Sequence, residues 1–105
     1  MLLVALLLQT APFDVKADYV ELAKQHCRLE WPNDFQMQAH CLKEQAGGMI
    51  AFKRIAETSG PPLHKAFEKC TEDWTKNGLP DWQMIAYCAN EQATAYQALN
   101  APSPR

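Results

Sequence analysis

The sequence predicts an all-α fold of four helices, arranged as two tandem helical hairpins that are each pinned by a disulfide. Three observations point there. A thirteen-residue stretch is written twice, as DFQMQAHCLKEQA from Asp34 and as DWQMIAYCANEQA from Asp81, with eight positions identical. Apolar residues recur at intervals of three and four, which places them on one face of a helix. Four cysteines fall in a chain of 105 residues, an even count that reads as a disulfide framework when an export signal is also present.

Residues 1–17 read as that signal. The apolar run Leu2–Leu8 is too short to span a bilayer, which takes about 20 residues, but it suits the h-region of a secretory signal peptide. Val15-Lys16-Ala17 offers small residues at the two positions a signal peptidase reads, so Asp18 is the expected new N-terminus. The first helix is expected near 18–30, with Tyr19, Leu22, Ala23, His26 and Cys27 on one side. A turn at Pro32 follows, and Asp34 stands where an N-cap belongs for a second helix near 34–57. Gly47-Gly48 weakens that helix by about 1 kcal/mol per glycine relative to alanine, so either it kinks there or a neighbour packs close.

Ser59-Gly60-Pro61-Pro62 breaks the chain, and proline is tolerated in the first turn of the third helix, expected near 62–76. Leu63, Ala66, Phe67, Cys70 and Trp74 form its stripe. Asp81 then caps a fourth helix near 81–99. Few runs alternate with period two, and no hairpin dipeptide separates β-rich segments, so strands are not expected. Residues 18–100 make the repeat domain, with 18–57 and 61–99 as its two hairpins, and 101–105 are expected to be a disordered tail.

The repeat extends upstream. Cys27 and Trp31 reappear as Cys70 and Trp74, and the four extra residues of the second copy all fall between the tryptophan and the aspartate. A connection that varies between two arms of fixed length is a loop between helices. Cys27 and Cys41 lie roughly 6 and 10 Å above their turn at 1.5 Å per residue. That mismatch is compatible with a bridge if the helices splay, so the expected pairs are Cys27–Cys41 and Cys70–Cys88. The layout resembles coiled-coil-helix domains with twin Cys-x9-Cys arms in architecture alone. Here each arm has one cysteine and the spacings are longer, so no function follows from the likeness.

The formal net charge of −2, with no basic cluster, argues against nucleic acid as a partner and against a membrane-disrupting peptide. With the leader removed, no insertion into a membrane is expected. Thiol redox chemistry normally uses Cys-x-x-Cys, which is absent. Ser59 and Ser103 lie in loop and tail contexts without a Gly-x-Ser-x-Gly elbow, so no catalytic residues and no cofactor are expected. His26, His40, Met37 and Met84 compose a soft ligand set that would suit copper, although the histidines are not part of the repeated pattern and a methionine on a buried stripe is ordinarily core filling.

Gln45 and Gln92 share the cysteines' faces and are expected to be partly buried, with amide partners supplied by the neighbouring turn. Glu44 and Glu91 read as a solvated face. Trp31 and Trp74 are expected to cover the disulfides, whereas Trp82, directly after its cap, is the expected exposed binding anchor. The functional expectation is a small periplasmic or extracellular protein-interaction module without enzymatic activity, binding a protein partner the sequence does not name. A carrier of soft metal or a small ligand is the alternative. Oligomeric state has no signature in the sequence.

Overall fold

The computed structural model describes residues 18–101, so the expected leader and residues 102–105 of the expected tail lie outside the described residues. Four α-helices dominate: α1 (18–30), α2 (Phe35–Thr58), α3 (His64–Asp73) and α4 (Trp82–Asn100). The third begins as a single 3-10 turn, Pro61–Leu63, because the prolines fix φ but cannot donate backbone hydrogen bonds.

Both aspartate caps form. Asp34 accepts from Met37 N at 3.0 Å, and Asp81 accepts from Met84 N at 3.4 Å. The turn between α1 and α2 passes through Asn33 at φ 62°, a left-handed position that asparagine tolerates better than most residues. The turn is closed by Asp34 N donating to Trp31 O and by the Gln38 side chain donating to the same carbonyl at 2.9 Å. Helix α2 ends at Ser59, whose N–H donates to Ile55 O before the chain turns extended.

The connection between α3 and α4 departs from expectation. α3 stops at Asp73 rather than near residue 76, and Thr75–Lys76 pairs antiparallel with Leu79–Pro80 as a short ribbon, β1 and β2. Asn77 at φ 54° and Gly78 at φ 77° make the two-residue turn. Asn-Gly favours this turn because both positions need positive φ. Flanks without β-branched alternation hid the signal. Asp81 N donates to Trp74 O at 2.9 Å and delivers the chain into α4.

Disulfides Cys27–Cys41 and Cys70–Cys88 tie α1 to α2 and α3 to α4, each with Cα atoms 5.7 Å apart, as the arm lengths predict. Between them runs the core. Leu63, Phe67 and Ala89 are buried, with Phe52, Ile55, Ala56, Ala66 and Ala93 packed against them. Ala23 and Cys27 of α1, Cys41 of α2, and Ile85 and Ala86 of α4 are also buried. An aromatic row links the two regions: Phe52 lies 6.0 Å from Phe67 and 5.8 Å from Trp82, and Trp82 lies 5.6 Å from Tyr19, edge to face.

Candidate functional site: the groove beside the α4 N-terminus

The middle of α2 receives the start of α4. Gln45 is buried, and its amide makes two bonds there: Oε1 accepts from Trp82 N at 2.6 Å, and Nε2 donates to Asp81 Oδ1 at 2.9 Å. One side chain thus satisfies an orphan N–H of the helix and holds its capping carboxylate. Three residues on, Gly48 makes the approach possible. A Cβ there would run into the Trp82 carbonyl oxygen and lie 2.7 Å from Gln83 N. The α2 helix continues through Gly47-Gly48, and of the two expectations for this pair, close packing is found at Gly48, while nothing lies within 4 Å of a Cβ built on Gly47.

Trp82 corrects an expectation. It is not an exposed anchor but a core residue, 8% exposed, held between Tyr19 and Phe52. The N1 position after an N-cap faces solvent on an isolated helix. Here the α4 N-terminus is docked onto α2, which turns that position inward. Its Nε1 is buried without an acceptor among the described residues. Gln92 corrects a second. It is exposed, although it repeats Gln45, because no helix start is docked beside it as Asp81 is beside Gln45. Glu44 and Glu91 are solvated as expected.

Beside this junction a groove of about 270 Å³ opens between the end of α1 and the ribbon, lined by His26, Leu29, Trp74, Lys76, Leu79 and Asp81, among others. Two large apolar side chains there are open to solvent, Leu29 at 71% and Trp74 at 38%. Trp31 is similarly exposed, at 37%. Sequence reasoning missed Leu29, because its exposure depends on which side of α1 the disulfide turns inward. A second hollow, lined by Ile55, Leu63, Asn90 and Tyr96 among others, lies between the C-terminal ends of α2 and α4.

The soft-metal set is distributed. His40 Nε2 pairs with Glu44 at 3.1 Å on an exposed face, while His26 Nε2 lies 3.4 Å from Glu30 Oε1 and 4.0 Å from Asp81 Oδ2. Met37 and Met84 are each half-buried. Among the described residues, the His, Cys, Asp and Glu ligand atoms that cluster are those of His26, Glu30 and Cys41, without His40. All four cysteines are consumed in disulfides, so Cys41 Sγ carries no proton, and its 3.7 Å approach to Glu30 Oε1 is a contact and not a hydrogen bond. No family model, curated protein or solved structure matches this chain.

Proposed function

We propose that the chain is a small exported interaction module, non-enzymatic, that binds a protein partner through the groove between α1 and the ribbon. Its two halves are read as a duplicated helical hairpin whose shared residues build most of the scaffold, with the contact made by one shared residue, Trp74, and by residues that the copies do not share. The observation that carries the reading is the groove: Leu29 and Trp74 both line it, stand exposed and lie outside the buried core. Single exposed apolar residues are ordinary on a protein surface. Here two converge on one concavity whose walls are each fixed by a disulfide in the adjoining helix, and tryptophan is enriched among residues that dominate binding energy. Leu29 and the ribbon turn are also absent from the repeated pattern, as residues chosen for a partner would be.

Export is supported by the paired cysteines, since disulfides persist in oxidising compartments. No helix among the described residues is long and apolar enough to cross a membrane.

The test is site-specific photo-crosslinking in extracellular or envelope extract, with the probe at Leu29 or Trp74 and, as a control, at exposed Glu68 of α3. Adducts to one protein from the groove positions alone support the reading. Equal labelling from Glu68, or none from Leu29 and Trp74, overturns it.

A further inference from the structure

His26 sits where the end of α1 meets the start of α4. Its side chain is 18% exposed, and its Nε2 faces two carboxylates from different parts of the chain. Glu30 belongs to the same helix, one turn on; Asp81 comes from the α4 cap. The Asp81 oxygens are divided in their tasks. Oδ1 accepts from Gln45 Nε2 at 2.9 Å and Met84 N at 3.4 Å, and it is Oδ2 that faces the imidazole.

We propose that His26, Glu30 and Asp81 form a binding site for a divalent cation of the zinc class, clamping α1 to the α4 N-terminus. Imidazole nitrogen and carboxylate oxygen are zinc donors, and bonds of about 2.0–2.1 Å set neighbouring tetrahedral ligand atoms about 3.3 Å apart. The His26–Glu30 separation of 3.4 Å already matches, and the His26–Asp81 separation of 4.0 Å must shorten by about half an ångström. The Glu30 and Asp81 carboxylates do not share a cluster within 4.8 Å, so the site closes only when Glu30, the last residue of α1 with a half-exposed side chain, swings toward Asp81. Two carboxylates match the charge of the ion. Gln45 orients Asp81 as the outer hydrogen-bond partners of ligating carboxylates do. His26 and Asp81 both line the groove, so a fourth position opens to solvent. The positive end of the α4 dipole and Lys76 in the groove wall oppose a cation, which favours moderate over tight binding. The site differs from the soft set His26, His40, Met37 and Met84 in donors and in metal, and it does not depend on the groove binding a partner.

The molecule supplies its own control. His40 and Glu44 repeat the same four-residue spacing at 3.1 Å, but on an exposed face where no third His, Cys, Asp or Glu among the described residues clusters with them. The experiment is calorimetric titration of Zn²⁺ into the chelator-treated, fully oxidised protein, with the absence of free thiol checked first. One saturable equivalent is expected. His26→Ala should abolish it, and Glu30→Gln should weaken it about tenfold or more. Asp81→Asn, which keeps a capping oxygen, should do the same, and His40→Ala should leave it unchanged. Glu30→Gln sits on an exposed side chain and decides the matter even if Asp81→Asn unfolds. Absence of binding overturns the proposal, as does binding that survives His26→Ala or is lost with His40→Ala. Binding that appears only after Cys27–Cys41 is reduced overturns it in favour of a thiolate site.

Discussion

Adjacent glycines in α2 have opposite tasks, and the contrast can be measured. Nothing lies within 4 Å of a Cβ built on Gly47, so Gly47→Ala should stabilise by up to about 1 kcal/mol through helix propensity. Gly48→Ala would press on the backbone of Trp82 and Gln83, which cannot yield as a flexible side chain would, and should cost about 1–3 kcal/mol as overpacking does. Urea denaturation of the two variants checks the pair, and equal effects would mean that α4 does not approach α2 at that point. Gln45 and Gln92 form a similar pair. Gln45→Ala strands Trp82 N and one bond to Asp81, and should cost about 2–3 kcal/mol, while Gln92→Ala should stay within about 0.5 kcal/mol. Trp82→Ala removes the centre of the aromatic row and should destabilise by about 3–5 kcal/mol. A thermal melt of Trp82→Ala that overlays the wild type would restore the exposed-anchor expectation that its burial contradicts.

At the scale of elements, the helices hold to each other by different means. Helix α1 has a narrow buried stripe, Ala23 and Cys27, so the Cys27–Cys41 bridge carries much of its attachment. Helix α3 buries Phe67, and the 3-10 turn before it buries Leu63, in the core beside the second disulfide. In the chain-entropy model each bridge contributes about 3 kcal/mol. Replacing Cys70 and Cys88 together by alanine should lower stability by about that amount and leave α3 docked through Phe67. The corresponding change at Cys27 and Cys41 should release α1 first, seen as loss of amide-exchange protection over residues 18–30 before the rest. Uniform loss across all four helices in that second variant would contradict the division. The ribbon between α3 and α4 tests turn chemistry: Gly78→Ala places a Cβ at φ 77° and should cost about 1 kcal/mol.

For the whole molecule, the two similar stretches are not used alike. Asp81 and Trp82 enter the middle of α2, but Asp34 and Phe35, which match them in the thirteen-residue stretch, are exposed. The asymmetry creates the junction on which His26, Gln45, Gly48 and the groove all converge. The export reading is a statement about the whole chain, and it rests on the apolar run at residues 2–8 and on Val15-Lys16-Ala17. Mass spectrometry of the native protein is expected to find Asp18, or a residue within a few positions, at the N-terminus; an intact Met1 in a cytosolic fraction would remove it.

The local features were legible because they follow from local rules. Helix periodicity, two aspartate caps, the break at Pro61-Pro62 and the pairing of nearest cysteines each depend on residues close in sequence, where 1.5 Å of rise per residue turns spacing into height. The Asn77-Gly78 turn was legible too, in a dipeptide whose φ requirement is local, but its flanks lacked the pattern that names a strand. What the tertiary structure alone decided is how α4 docks on α2. Identical residues then met different neighbours: Gln45 found a helix start to cap while Gln92 found solvent, and the N1 tryptophan turned inward while the N1 phenylalanine stayed out at 77% exposure. A repeat in sequence specifies the same local conformation twice. It does not specify which copy's surface will be covered, because burial is a property of the pair of elements in contact and not of either one alone.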